Sequence, residues 1–77
     1  MTESQWMSNF GSNLKVMLRG YGMTQTELAK ETGLTEATIS RYISGQTMPS
    51  AASLFNIAYA LDCSLDDIAD FGDKIDI

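Results

Sequence analysis

The sequence predicts an all-α protein, a compact bundle of five short helices. Apolar residues recur every three or four positions along most of the chain, which is the spacing of a buried helix face. Serine or threonine precedes four of these segments, and glycine follows three of them, as at helix ends. The 77 residues are 44% apolar and 19% charged, which suits one small globular domain. We expect this domain to span residues 1–71 and a short tail to span residues 72–77.

The first helix is predicted by four large apolar residues at four-residue spacing: Trp6, Phe10, Leu14 and Leu18. The segment Gly20-Tyr21-Gly22 should end it. Trp6 has two readings, a lid over the core or a contact surface for a partner, and we favour the lid.

The stretch 24–45 is predicted to form two helices joined by a tight turn. Thr24 and Glu27 have the spacing of a capping box, in which each side chain accepts a hydrogen bond from the other residue's amide. Gly33 suits the left-handed position that ends such a helix, and Thr35 is a good N-cap for the next. Two helices connected in this way form a helix-turn-helix.

The second helix of this pair has one apolar side and one polar side. Ile39, Tyr42 and Ile43 fall on one stripe, which should face the core, and Gly45 should end the helix. The residues predicted to face away from the core are Glu36, Ala37, Ser40, Arg41 and Ser44.

Two further helices are predicted after the loop that contains Pro49. Ser50 should cap the fourth helix and Ser64 the fifth. The inward stripe predicted for the fourth helix is Ala51, Leu54, Phe55, Ala58 and Leu61, with Ile57 on its flank. Leu65, Ile68 and Ala69 should face inward from the fifth helix.

Charge divides the chain unevenly. Lysine and arginine balance glutamate in residues 1–61, whereas residues 62–77 carry six aspartates and one lysine, so the whole net charge of −5 belongs to this end. An acidic chain offers no long-range attraction to nucleic acid, so we expect weak non-specific binding to any such partner.

Several function classes find no support in the residues present. There is no histidine, and Cys63 is the only cysteine, so no internal disulfide or cysteine-cluster metal site can form. No segment reads as a membrane span or a signal peptide. We therefore expect a cytoplasmic protein that is not an enzyme, with no cofactor, no metal and no evident small-molecule substrate.

The chain resembles the helix-turn-helix family of phage Cro proteins and lambda-type repressors, also called the xenobiotic-response-element (XRE) type. The resemblance covers residues 10–69, and its strongest segments are Thr24-Gln25-x-Glu27-Leu28-Ala29, Gly33-Leu34-Thr35, Thr38-Ile39-Ser40-Arg41-Tyr42 and Gly45. It implies a lambda-repressor-like domain that binds double-stranded DNA, with the third helix in the major groove.

The resemblance also implies which residues meet the DNA. The positions that would face bases are Thr35, Glu36, Ala37, Thr38 and Arg41. The positions that would face phosphates are Gln25, Ser40, Ser44, Gly45, Gln46 and Ser50, with Gly45 and Gln46 offering backbone amides. Arginine pairs well with guanine, glutamate accepts from cytosine, and a methyl group fits against thymine.

Two of these positions also have simpler structural readings. Glu36 can merely complement the positive end of its helix, and Thr38 can merely face solvent. The loop at Gln46-Thr47-Met48 lacks the lysine or arginine that is frequent there in the family, and Glu36 stands where a neutral polar residue is common. Both departures reduce the attraction for phosphate.

The sequence therefore predicts a sequence-specific transcription regulator, a repressor of the phage or prophage type, that acts as a homodimer on double-stranded DNA. The alternative is a protein-binding module on the same fold, such as an antirepressor or an antitoxin-like partner, which the acidic end of the chain would suit. Residues 72–77 are either a frayed end or an arm that pairs with a second copy.

Overall fold

The computed structural model describes residues 1–69, which form five helices and no strand. The helices are α1 (Glu3–Tyr21), α2 (Gln25–Thr32), α3 (Glu36–Ile43), α4 (Ala51–Ala60) and α5 (Leu65–Ala69). The predicted all-helical, five-helix architecture is confirmed. The predicted domain boundary after residue 71 and the tail at residues 72–77 lie outside the described residues.

Side-chain caps are found at the helix starts predicted from the sequence. Thr24, Thr35 and Ser50 each accept a hydrogen bond from the amide three residues on, at 3.1 Å. Thr2, which the sequence analysis did not single out, forms a capping box with Gln5 and begins α1 at Glu3. The caps thus divide the chain into helices through contacts that span only three residues.

All five helices contribute to the core, and α1 contributes buried residues from its first turns to its last. Its fully buried large residues are Phe10, Leu14, Leu28, Ile39, Ile57, Leu61 and Ile68. Trp6 is 3% exposed, and its ring stacks on Phe10 with the centroids 5.3 Å apart. The predicted role of Trp6 as a lid on the core is therefore confirmed. No helix within residues 1–69 combines the length and the apolar character needed to cross a bilayer.

Helix α1 crosses the end of α3 at Gly11, where the two backbones touch. A Cβ atom on Gly11 would lie 2.6 Å from the carbonyl oxygen of Tyr42 and would also collide with the carbonyl of Ile43. Because no larger side chain fits this crossing, Gly11 sets how closely α3 sits on α1.

The inward face of α4 differs from its prediction. Phe55 is 60% exposed and Ala51 is exposed, whereas Ile57 is fully buried and Ser53 is 8% exposed. The segment is apolar almost all round, so the spacing of its apolar residues does not select one face. The buried face is instead the one on which Ser53 finds hydrogen-bond partners.

Candidate nucleic-acid interface

The turn between α2 and α3 is held by a glycine and a threonine. Gly33 adopts φ 74°, the left-handed conformation that glycine accepts without strain. The Thr32 hydroxyl donates to the carbonyl of Leu28 at 2.8 Å and accepts from the amide of Leu34 at 3.3 Å. These contacts fix the direction in which the chain leaves α2 and enters α3.

The N-terminal end of α3 is linked to itself and to α2. The Thr35 side chain caps the amide of Thr38, and the two threonine hydroxyls lie 2.9 Å apart. The carboxylate of Glu36 accepts a hydrogen bond from the hydroxyl of Thr26, on α2. Glu36 therefore does more than complement the helix end, since it also ties the two helices of the motif together.

The inner side of α3 is anchored by Tyr42, which is 5% exposed. Its ring meets Phe10 edge-on with centroids 6.1 Å apart, and its hydroxyl donates to Ser53 at 3.1 Å. Ser50 in turn donates to Ser53 at 3.1 Å. This chain of three hydroxyls connects the inner side of α3 to the first turn of α4.

The base-facing candidates all lie in α3 or at its N-cap. Thr35, Glu36, Ala37 and Arg41 are exposed and Thr38 is half-buried. Among the described residues, the Arg41 guanidinium has no hydrogen-bond or ion-pair partner, so it is available to a ligand. The structure thus brings the five candidates to one accessible region.

The phosphate-facing candidates are spread over three helix ends. Gln25 is the first residue of α2 and is exposed, beside amides that a helix leaves without internal partners. Ser40 is exposed on α3 and Ser44 is exposed at its C-cap, where the Ser44 hydroxyl donates to the carbonyl of Arg41 at 3.2 Å. Ser50 is exposed at the start of α4, although its hydroxyl already serves Ser53.

The backbone amides expected to be free at Gly45 and Gln46 are in use. The amide of Gly45 donates to the carbonyl of Tyr42 at 3.1 Å, and that of Gln46 to the carbonyl of Arg41 at 2.9 Å. Gly45, at φ 75°, ends α3 through these bonds. That expectation needs correction for the amides, because a helix end satisfies its own carbonyls first. The side chain of Gln46 is exposed and can still donate.

The roles of Thr26 and Ser53 were not predicted from the sequence. Thr26 is ten positions from Glu36, and no local pattern announces such a contact. Ser53 does leave a signal, since Ser50 and Ser53 have the three-residue spacing of a cap and the residue it caps.

The aspartates among residues 1–69 gather at one end of α5. Asp62, Asp66 and Asp67 are exposed around the start of α5. Partial burial, with the nearby carboxylates of Asp67 and Asp62, raises the pKa of the Cys63 thiol above its ordinary value. This end therefore holds a negative field, while the outer side of α3 presents Arg41 and Glu36.

The family model HTH_3, described as helix-turn-helix, matches residues 14–68. The match covers most of the chain, and the chain belongs to this helix-turn-helix family. No curated protein matches the sequence.

Three solved structures illustrate the likeness. An HTH_3 family transcriptional regulator from Vibrio cholerae is 25% identical to this chain and superposes with a TM-score of 0.82. The match covers 87% of this chain and 38% of the Vibrio chain. The restriction-modification controller protein C.AhdI from Aeromonas hydrophila is 26% identical with a TM-score of 0.78, and the match covers 80% of this chain and 94% of C.AhdI. The competence regulator ComR from Streptococcus vestibularis is 28% identical with a TM-score of 0.79, and the match covers 92% of this chain and 24% of ComR.

This chain therefore spans well under half the length of the Vibrio and Streptococcus proteins and nearly all of C.AhdI. The family model and these structures share the helix-turn-helix fold described above.

Proposed function

We propose that the protein is a sequence-specific regulator of transcription that binds double-stranded DNA as a homodimer and represses the promoter it covers. The observation that carries the proposal is the division of α3 into two sides. Ile39 and Tyr42 hold it in the core, while the guanidinium of Arg41 and the N-terminal residues of the helix face solvent. A helix presented in this way fits the major groove of B-form DNA.

Base reading would come from the exposed residues of α3. Arg41 can donate two hydrogen bonds to a guanine, and Ala37 can contact a thymine methyl group. Glu36 can accept from a cytosine amino group with the carboxylate oxygen that Thr26 does not use. The Thr26 contact would hold that carboxylate in place as α3 enters the groove.

Phosphates on either side would be held at helix N-termini. Gln25 offers its side-chain amide and first-turn backbone amides, and Ser50 heads α4 in the same way. The side chains of Ser40, Ser44 and Gln46 would add further contacts. Such contacts fix the position of the protein on DNA without reading sequence.

The first experiment is selection from a pool of random duplex DNA at low salt, followed by a salt titration of the enriched sequence. We expect a palindrome whose half-sites are about one helical turn apart, because a homodimer reads two copies of one half-site. We also expect a shallow salt dependence, since few cations face the DNA. If no DNA is retained even at low salt, the proposal is wrong.

Two substitutions of Arg41 separate base reading from charge. Arg41→Ala should weaken binding to the selected site by about 1–3 kcal/mol and relax the preference at one base pair. Arg41→Lys keeps the charge but loses the two-pronged donor, so it should lose that preference while retaining most non-specific affinity. Binding is measured by fluorescence anisotropy on the selected site and on single-base variants of it. If Arg41→Lys retains the preference, Arg41 touches phosphate only.

The alternative function is a protein-binding module on the same fold, of the antirepressor or antitoxin-like kind. The exposed aspartates at Asp62, Asp66 and Asp67 favour it, because they suit a basic partner and repel phosphate. The selection experiment discriminates the two functions, since a module of this kind would enrich no sequence.

A further inference from the structure

Helix α4 has an outer face that is exposed and yet uncharged. Among the helices of residues 1–69, it is the one whose sequence contains no charged residue. Tyr59 is 90% exposed and Phe55 is 60% exposed, and they are four positions apart, on one side of the helix. Ala51, Ala52 and Asn56 complete this face, and all three are exposed.

A solvent-facing helix surface normally carries charges, whereas the centre of a protein interface is depleted in charge and enriched in tyrosine and phenylalanine. The α4 face has the second composition. The other helices behave as solvent-facing surfaces do, for example α1, which exposes Lys15 and Arg19.

We infer that the outer face of α4, formed by Ala51, Ala52, Phe55, Asn56 and Tyr59, is the surface through which two copies of this chain pair. The inference rests on the proposed function, which states that the protein is a homodimer, and it adds the surface through which the two copies meet. A symmetric pair places the same patch against itself, so a charged patch would meet its own charge. Each copy has a net charge of −5, and an uncharged face is where two such copies approach with the least repulsion.

The size of the face indicates a weak pair. The exposed parts of Phe55 and Tyr59 amount to about 300 Å² per copy, taking about 200 Å² for a whole aromatic side chain. Two copies would bury about 600 Å² of aromatic surface, below the roughly 1,200 Å² at which stable complexes begin. We therefore expect association at high protein concentration and stronger pairing on DNA, where two adjacent half-sites raise the effective concentration.

The test compares Tyr59→Lys with Val16→Lys. Val16 is 66% exposed on α1, so both changes replace an exposed apolar residue and both reduce the negative charge of the chain by one. If only net charge mattered, both variants would pair more strongly. If the α4 face is the interface, Tyr59→Lys should weaken pairing about 10-fold or more, because two lysines would meet across it. Val16→Lys should pair at least as well as the unchanged protein.

Pairing is measured by sedimentation equilibrium without DNA and by cooperativity on the selected palindrome. Circular dichroism and the melting temperature establish that both variants fold. A single half-site keeps the two proposals apart, because Tyr59→Lys should bind it as the unchanged protein does. The inference is overturned if the unchanged protein neither associates nor binds the palindrome cooperatively, or if the two variants pair equally well. Failure to bind any half-site would count against the proposed function alone.

Discussion

At the scale of single residues, the close packing of α3 on α1 depends on Gly11. The hydrogen atom that glycine carries in place of a side chain is what lets α1 touch the carbonyl groups of Tyr42 and Ile43. The capping glycines were predictable because caps leave a local pattern. The role of Gly11 was not, since its contact joins residues about thirty positions apart.

Gly11→Ala should therefore be strongly destabilising. The added methyl group meets backbone carbonyls, which cannot rotate away as a side chain can, so we expect a loss of at least about 2–3 kcal/mol in the free energy of unfolding. Urea denaturation followed through the fluorescence of Trp6, the only tryptophan, measures the loss.

Gly20→Ala is the matched control. Gly20 also lies within α1, but a Cβ atom there has no neighbour within 4 Å. Alanine should raise stability by about 0.5–1 kcal/mol, because glycine is a poor helix former. Equal effects of the two substitutions would show that α1 does not touch α3 at Gly11.

At the scale of helices, the beginnings were predictable and one of the faces was not. The starts of α2, α3 and α4 follow from Thr24, Thr35 and Ser50, whose bonds reach only three residues along the chain. The buried face of α4 depends on Ser53 meeting Tyr42, on a different helix. The outer side of α3 was predictable because its apolar residues form one clear stripe, whereas the link from Thr26 to Glu36 is a tertiary contact that spacing does not encode.

The end of α4 holds an unfavourable residue. Asp62 has φ 49°, the left-handed region, and places a negative charge beside the negative end of the helix. Asp62→Gly removes both costs and should raise the free energy of unfolding by about 1 kcal/mol. Thermal denaturation followed by circular dichroism measures the gain.

Asp62→Asn separates the two contributions, because asparagine tolerates the left-handed region and lacks the charge. The Asp62 carboxylate is one of the groups that raise the pKa of the Cys63 thiol, so Asp62→Asn should also lower that pKa. Alkylation of Cys63 at a fixed, mildly alkaline pH should then be faster. A loss of stability in both variants would mean that the Asp62 carboxylate makes a favourable contact.

At the scale of the whole molecule, the exposed aspartates lie around a different helix from the one proposed to read DNA. Asp62, Asp66 and Asp67 are exposed around α5, whereas Arg41 lies on the outer side of α3. Such a distribution weakens the approach to DNA at long range without altering the contacts made after docking.

Asp66→Asn should accordingly strengthen DNA binding about two-fold at low salt. The gain should disappear near physiological ionic strength, where the screening length is about 8 Å. Anisotropy titrations on the selected palindrome at several salt concentrations measure it. Asp66→Glu keeps the charge and should change nothing. A gain that persists at high salt would place Asp66 in direct contact with the DNA.

The two-sided construction of α3 has a consequence for engineering. Ile39 and Tyr42 hold the helix in the bundle, whereas Ala37 and Arg41 make no contribution to the buried core. The outward positions can therefore be randomised as a library while the inward positions are left unchanged. If α3 reads DNA as proposed, substituting a few of its exposed residues should change the operator preference while the domain folds as before.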